Sequence, residues 1–408
     1  MPAPIVMSCV WFFCLGGLGI FFPYFSLYLR ENAGLSGTQV GVVLAMLPLV
    51  GTLAQPLWGQ LADRTGSRSR VLVLLTLGAA TGYLALGYAS GFAHLVLATA
   101  WLAFFSTATV PAAMSVTFAL ARVERARAFG RIRVWGTIGF LFLVVGFPRF
   151  LHGLQTGRGL SPVAGGPSEP GLEVMFPITA GLVAAGGLLA LALPRGGEMA
   201  LRAPKGDWRR LLRHRPFVRV LGFTLVAYFF LQGPMSFFPI YVRSLGGTLD
   251  SVSNMWILML SLEIPLVAFA GASLARVGPR GLLAIGTLAG GVRWTACGLI
   301  GDLASIYPFQ ILHGVVVAGL VIGGPLYVEA VVPERLRSTG QGVLAMVGVS
   351  LGAITSHLGS GYLLEHAGPR APYLVGGLGG LALAALVPLW LPPVARPAAA
   401  ADEQDLPT

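Results

Sequence analysis

The chain has 408 residues, of which 55% are apolar and only 11% charged, and its formal net charge is +11. A soluble domain usually carries about 25% charged residues, so this composition excludes a soluble globular protein. Apolar runs of about 20 residues, long enough to cross a bilayer, recur along the whole chain. They predict an all-α membrane protein that crosses the lipid bilayer many times.

Twelve spanning helices are predicted, and they would form two bundles of six. Their approximate ranges are 5–29, 38–62, 71–90, 93–121, 127–150, 174–193, 217–242, 252–275, 281–300, 304–331, 341–365 and 372–391. The first apolar run leads straight into further spans, so we expect no cleavable signal sequence. The predicted organisation is an N-terminal six-helix bundle over 1–193, a cytoplasmic linker over 194–216, a C-terminal six-helix bundle over 217–391 and a disordered tail over 392–408. The basic linker is interpreted either as an amphipathic surface segment or as a disordered connection.

The positive charges follow a topological pattern. With the N-terminus in the cytoplasm, we count 21 of the 27 lysines and arginines on the cytoplasmic side. Cytoplasmic loops of membrane proteins carry such an excess. The charges therefore predict that both termini lie in the cytoplasm and that the basic loops contact anionic lipids. We expect a multi-pass protein of the cell (inner) membrane. No nucleic-acid partner is expected.

The residues that usually form metal or catalytic centres are not clustered. The three cysteines, Cys9, Cys14 and Cys297, all fall inside predicted spans, where they are expected to pack as small apolar residues. No phosphate loop or nucleophile motif is found. We therefore expect no cofactor, no metal and no enzymatic activity.

Two loops of the first half recur in the second half. The loop 59–68 (GQLADRTGSR) is similar to 271–280 (GASLARVGPR), at an offset of 212 residues. The loop 124–130 (ERARAFG) is similar to 334–340 (ERLRSTG), at an offset of 210. Two separate loops with nearly equal offsets indicate two homologous halves. Repeats of this kind build transporters whose binding site lies near the bilayer midplane.

The loop after the second predicted helix resembles the signature loop of the major facilitator superfamily. The matching residues are Gly59, Asp63, Arg64, Gly66 and Arg68, whereas Ser67 departs from the basic residue that is usual there. The resemblance covers about 5–391 and implies two six-helix bundles, alternating access and a monomer. It also implies a conformational switch, in which Asp63 caps a neighbouring helix and pairs with basic residues when the cytoplasmic side is shut.

Arg133 is predicted to lie inside the fifth helix. The apolar stretch 134–147 has about 14 residues, which is too short to span, and Pro148 with Arg149 is expected to hinder extension beyond it. The helix should therefore begin near residue 127, about two turns before Arg133. A buried arginine is costly unless it is paired or faces water. Arg133 either faces a wet cavity or snorkels to the cytoplasmic interface.

The segment 129–140 (FGRIRVWGTIGF) resembles the start of helix 5 in the oligosaccharide:proton symporters. The resemblance implies that Arg133 binds hydroxyl groups of a sugar and that Phe140 stacks on its ring. Ser115 stands where that group has a carboxylate in helix 4. The sequences 261–266 (SLEIPL) and 311–316 (ILHGVV) resemble the phenylpropionate-permease-like members of the same broad group.

Three ionisable residues stand inside apolar helices of the second half: Glu263, Arg293 and His313. Counting at 1.5 Å per residue from the helix ends places them within a few ångströms of one level. Ionisable groups at such depth usually mark a functional site. Motion of Arg293 relative to Glu263 would change the proton affinity of the carboxylate, and His313 would orient water or substrate. The alternative is a static buried ion pair that fixes helix packing.

The resemblance to the symporters extends partly to these three residues. The spacing of Arg293 and His313 equals that of the symporters' coupling arginine and histidine. Val316 occupies the place of the proton-carrying glutamate one turn after the histidine. Glu263 is therefore either the proton carrier, or the carrier is missing and the protein is a uniporter or couples differently.

Three polar residues at mid-depth, Gln55, Tyr228 and Gln232, are expected to line a cavity and bind substrate. Hydrogen bonding between helices explains such residues equally well.

The sequence thus predicts a secondary active transporter that moves a small organic solute together with protons. Sugars, nucleosides and small aromatic acids are the expected substrates. The first alternative is a drug or metabolite exporter working as a proton antiporter, which predicts a carboxylate inside helix 1 or 4, where none is found. The second, a receptor or enzyme on the same fold, would need an added soluble domain or a catalytic cluster.

Overall fold

The computed structural model describes residues 2–124, 127–161, 169–194, 208–268 and 270–394, and this part of the chain is helical without strands. Most of the predicted linker, most of the predicted tail and two residues of the loop 124–130 lie outside the described residues. The helices are α1 Ala3–Leu27, α2 Gly37–Thr65, α3 Arg68–Tyr88, α4 Gly91–Glu124, α5 Arg127–Arg158, α6 Met175–Ala190, α7 Trp208–Leu211, α8 Arg215–Ser236, α9 Phe238–Ser244, α10 Leu249–Ala268, α11 Ala270–Leu299, α12 Leu303–Ile306, α13 Leu312–Val317, α14 Gly323–Val331, α15 Arg337–Val343, α16 Gly352–Ala367 and α17 Ala371–Trp390.

The lengths of these helices confirm the all-α membrane fold. Eleven helical stretches within the described residues are long and apolar enough to cross a membrane. The predicted eighth span is also helical, as the 20-residue α10, although it is not among those eleven. Asp250 and Glu263 lie within it and lower its hydropathy.

The first compact unit comprises Met1–Arg202, Met235–Trp256 and His357–Pro369. In it, α1 packs along α5 and α6, and α3 packs along α4 and α6. Apolar side chains, with Val10, Trp11 and Leu72 among them, are fully buried at these contacts.

The second compact unit comprises Ala203–Pro234, Ile257–Ser356 and Arg370–Thr408. Here α11 packs along α17, α13 and α14. The two units do not follow the predicted division into bundles at residues 193 and 217. That division, which rests on the loop repeats, stays a prediction.

Helix α5 runs further than the sequence analysis expected, because it continues through Pro148 to Arg158. A proline inside a helix has no N–H for the carbonyl four residues earlier, here that of Val144. The carbonyl oxygen of Val144 instead accepts hydrogen bonds from Tyr24 Oη at 3.0 Å and Ser253 Oγ at 2.9 Å. The expectation that Pro148 with Arg149 hinders extension, so that the helix ends near residue 150, was wrong because two hydroxyl groups from other helices replace the missing donor.

A carboxylate from the second half of the sequence caps the start of α2. Ser36 and Gln39 form a capping box, in which Ser36 Oγ accepts from the backbone N–H of Gln39. Glu365 Oε2 accepts from Ser36 Oγ and from the backbone N–H of Thr38, each at 2.8 Å. Negative charge at a helix N-terminus stabilises the unpaired N–H groups there.

An ionic cluster joins the ends of α1 and α9 to the segment before α6. Arg243 donates to Glu169, and its Nε lies 3.3 Å from Oε2 of Glu31. The backbone carbonyl of Glu169 accepts from Asn32 Nδ2 at 2.8 Å. One guanidinium thus holds two carboxylates from distant parts of the sequence.

Several of the predicted spans are not continuous α-helices but contain breaks or irregular turns, which change the directions of the side chains that follow. The predicted helix 217–242 is broken at Phe237 into α8 and α9. The predicted helix 304–331 consists of α12, a 3-10 turn Pro308–Ile311, α13, a π-helical segment Ala318–Ile322 and α14. Irregular turns of these kinds are frequent at functional sites.

Candidate functional site

The three ionisable residues predicted in the second half lie together and form one chain of contacts. Nη1 of Arg293 lies 3.0 Å from Nδ1 of His313. Nε2 of His313 lies 3.5 Å from Oε2 of Glu263. His313 therefore stands between the arginine and the carboxylate, whereas the sequence analysis considered a direct Arg293–Glu263 contact.

The partners of His313 define its tautomer. A guanidinium only donates hydrogen bonds, so Nδ1 of His313 must accept from Arg293. The neutral ring then carries its proton on Nε2, which points to the carboxylate of Glu263. A second ring proton on Nδ1 would face the guanidinium, which has no acceptor for it.

Exposure increases along this chain of contacts. Arg293 is 1% exposed, while the side chains of His313 and Glu263 are 14% and 25% exposed. Glu263 is thus the most exposed of the three side chains, and Arg293 is the most buried.

Further side chains hold Arg293, and the sequence analysis missed them. The Nε of Arg293 donates to Oε1 of Gln310 at 2.9 Å, and Nη2 lies 3.4 Å from Sδ of Met259. The guanidinium carbon lies 4.0 Å from the centre of the Trp294 ring, within the range of a cation–π contact. Gln310 precedes His313 by three residues in the apolar span predicted over 304–331, and that spacing is the signal that could have found it.

A close approach of two backbones brings His313 to Glu263. A Cβ atom added to Gly314 would lie 2.6 Å from the backbone nitrogen of Glu263. Only glycine therefore allows α13 to pack against α10 at this distance. Small residues at helix crossings have this role in membrane proteins.

We expect Gly314→Ala to lower the melting temperature of the detergent-purified protein, because overpacking a tight contact costs about 1–3 kcal/mol. Gly342→Ala is the matched control, since a Cβ added to Gly342 in α15 meets no atom within 4 Å. Equal melting temperatures for the two variants would contradict a tight α10–α13 contact.

Arg133 lies on α5 against α1 in the first unit. Its guanidinium carbon is 4.5 Å from the centre of the Trp11 ring, and Trp11 Nε1 donates to Thr117 Oγ1 at 2.9 Å. Nη1 lies 3.2 Å from the position that a Cβ on Gly136 would occupy. The guanidinium thus lies beside Gly136, about one turn after Arg133 along α5. Arg133 is half-buried.

Phe140 belongs to an aromatic group in the same unit. The centres of the Phe140 and Trp256 rings are 5.5 Å apart, and those of Trp256 and Phe22 are 5.7 Å apart. Both pairs have the edge-to-face geometry that aromatic rings prefer. Trp256 was not singled out from the sequence because an aromatic residue in an apolar helix is usually packing.

The remaining predicted substrate residues have less specific surroundings. Tyr228 and Gln232 are half-buried one turn apart on α8, and Gln55 is exposed on α2. Their role in binding stays a prediction.

The signature loop has the geometry of a helix end. Gly66 follows the last residue of α2 with φ of 62°, the left-handed conformation that ends many helices and suits glycine. Asp63 and Arg64 are exposed at the end of α2, and Asp63 makes no ion pair within the described part of the chain. Gly59 is exposed and Arg68 opens α3.

Many long apolar helices, a signature loop between two of them and ionisable groups held inside the helices together define a membrane transporter of the major facilitator type. The model of the MFS_1 like family matches residues 5–375. The chain therefore belongs to that family.

Known proteins of several substrate classes are similar to this chain. The maltose permease of Geobacillus stearothermophilus is 32% identical over 378 residues, which are 90% of each chain. The probable 3-phenylpropionic acid transporter of Escherichia coli (strain K12) is 26% identical over 313 residues, covering 72% of this chain and 74% of that protein. The crystal structure of a mutant of the nucleoside transporter NupG aligns with a TM-score of 0.84 at 18% identity, covering 95% of this chain and 99% of that one. These relatives are transporters and not enzymes.

Proposed function

We propose that this protein is a secondary active transporter that takes up a small organic solute together with protons. The observation that carries the proposal is the Arg293–His313–Glu263 chain of contacts, with the carboxylate at its more exposed end. Proton-coupled transporters use ionisable groups of this kind inside their helices.

The contacts suggest how protonation is coupled to motion. An ionised Glu263 attracts the Nε2–H of His313 and, through it, the positive charge of Arg293, so the three side chains hold α10, α11 and α13 together. Protonation of Glu263 removes the negative charge and weakens that attraction. Proton binding therefore biases the equilibrium between two arrangements of these helices, as alternating access requires.

The proposed substrates are sugars, nucleosides and small aromatic acids. Maltose, nucleosides and 3-phenylpropionic acid appear in the names of the proteins described above. The Arg133 guanidinium suits hydroxyl or carboxylate oxygens, and the Phe140 ring suits a sugar or aromatic face. We further propose a monomer in the inner membrane with both termini in the cytoplasm.

A thermal-shift screen of the purified protein is the first test. The panel holds maltose, uridine, 3-phenylpropionate and a lipophilic cation such as tetraphenylphosphonium. A ligand present at 100 times its Kd stabilises the folded state by about 2.7 kcal/mol, and we expect one of the first three compounds to do so. Stabilisation by the lipophilic cation alone would contradict the proposal and favour the exporter.

The ligand found in the screen is then tested in proteoliposomes. We expect an inwardly directed pH gradient to drive its accumulation against its own gradient, and a protonophore to abolish that accumulation. Uptake that is equally fast with and without the pH gradient would identify a uniporter.

A further inference from the structure

Gln310 is a fully buried amide beside the proposed proton site. It is 0% exposed and lies in the 3-10 turn Pro308–Ile311. Its Nε2 donates to the backbone carbonyl of Ile306 at 3.0 Å and lies 3.4 Å from Sγ of Cys297. Its Oε1 accepts from Nε of Arg293 at 2.9 Å.

These partners leave the amide one orientation. If the amide were flipped, its NH₂ group would face the guanidinium, which has no acceptor, and its oxygen would face a carbonyl. Because Ile306 ends α12 only four residues before Gln310, the local backbone keeps the acceptor oxygen aimed at Arg293. The direction of the guanidinium is therefore set by the backbone of α12 and of the 3-10 turn that follows it.

The second consequence concerns charge. Gln310 holds Arg293 through a neutral group, as do the Met259 sulfur and the Trp294 ring. A glutamate at position 310 would form a buried ion pair and neutralise the guanidinium. With glutamine, the positive charge of Arg293 acts on the carboxylate of Glu263 through His313.

We propose that Gln310 is a positioning residue of the proton site, which aims Arg293 at His313 while leaving its charge available to Glu263. This inference rests on the proposed proton-coupled function. A purely structural role, in which Gln310 only ties the 3-10 turn to α11, predicts that the neutral variant Gln310→Met has no effect on the protonation of Glu263.

Three titratable groups lie along the path from Gln310 to Glu263. His313 from α13 contacts Glu263, Arg293 from α11 contacts His313, and Cys297 from α11 lies 3.4 Å from Nε2 of Gln310. Of these, only Arg293 carries a fixed charge near neutral pH. A change at position 310 therefore reaches Glu263 chiefly through Arg293.

The test measures the protonation midpoint of Glu263 directly. Infrared difference spectra are recorded against pH on the purified protein, and the band of Glu263 is identified by its loss in Glu263→Gln. In Gln310→Glu, the band of the new carboxyl group is identified in the double variant Gln310→Glu with Glu263→Gln. The matched control is Gln341→Glu, because Gln341 also bonds a backbone carbonyl, that of Pro325 at 2.9 Å.

We expect Gln310→Glu to move the midpoint of Glu263 upward by on the order of one pH unit, a tenfold rise in proton affinity, because neutralising Arg293 removes the charge that favours the ionised carboxylate. Gln310→Met leaves Arg293 charged but removes the oxygen that directs its guanidinium toward His313. This variant should raise the midpoint of Glu263 by less than Gln310→Glu does. Gln341→Glu should leave it unchanged. Unchanged midpoints in both position 310 variants would overturn the proposal, and if Gln310→Glu does not fold, Gln310→Met decides alone.

This result is independent of the transport assay. Shifted midpoints together with wild-type uptake that ignores the pH gradient would support the role of Gln310 and contradict symport. Unshifted midpoints together with uptake driven by the pH gradient would support symport and contradict the role of Gln310.

Discussion

Glu263→Gln is expected to abolish uphill uptake driven by a pH gradient while leaving substrate exchange intact. Glutamine keeps the size of the side chain and its acceptor oxygen toward Nε2 of His313, but it has no ionised form. The variant thus resembles the protonated carrier at every pH. Exchange does not require the proton to leave, whereas net uptake does, so the initial rate of uphill uptake should fall by at least about tenfold, equivalent to about 1.4 kcal/mol.

The measurement uses proteoliposomes and the ligand identified by thermal shift. Glu329→Gln is the matched control, because Glu329 lies in the same half of the sequence and is exposed on α14. We expect that variant to transport like the wild type. If Glu263→Gln still accumulates substrate uphill, Glu263 is not the proton carrier.

Arg133→Ala is expected to weaken substrate binding by well over tenfold. Hydrogen bonds to a charged group contribute about 1.5–3 kcal/mol, and each 1.4 kcal/mol is a factor of ten in Kd. The Trp11 ring holds the guanidinium along α5, so the positive charge is already oriented before a ligand binds. Binding is measured by isothermal titration with the purified protein.

Arg131→Ala provides the control for charge alone, because Arg131 is exposed on the same helix two residues earlier. The affinity of Arg131→Ala for the substrate should equal that of the wild type. An unchanged affinity in Arg133→Ala would mean that Arg133 contributes packing on Trp11 and not substrate recognition. A lower melting temperature would still be expected in that case, since a cation–π contact contributes about 0.5–2 kcal/mol.

Counting residues located the second-half site because depth in a straight helix is proportional to residue number. Glu263, Arg293 and His313 were placed near one level, and they lie together in the structure. Which atoms meet depends on rotation about each helix and on irregular turns. The insertion of His313 between the other two depends on Gly314 and on the 3-10 turn, and single-sequence counting does not resolve either feature.

The extension of α5 shows that local sequence patterns do not determine where a helix ends. Local rules assign a proline near the end of an apolar stretch to a helix stop. The carbonyl that Pro148 leaves unpaired is satisfied by Tyr24 and Ser253, which are 120 and 109 residues from Val144 in the sequence. No local pattern contains those partners. The same holds for Arg243, whose partners Glu31 and Glu169 come from distant parts of the chain.

The sequence by itself determined the membrane class, the helical content and the positions of the buried charges. These depend on the lengths of apolar runs and on the high cost of placing a charge in hydrocarbon, and both are properties of local composition. Only the tertiary structure decided which side chains meet. Gln310 and His313 contact the guanidinium of Arg293, and the Trp11 ring packs against the guanidinium of Arg133. Contacts between helices depend on close approach at small residues and on distances of a few tenths of an ångström, and neither is encoded in hydropathy.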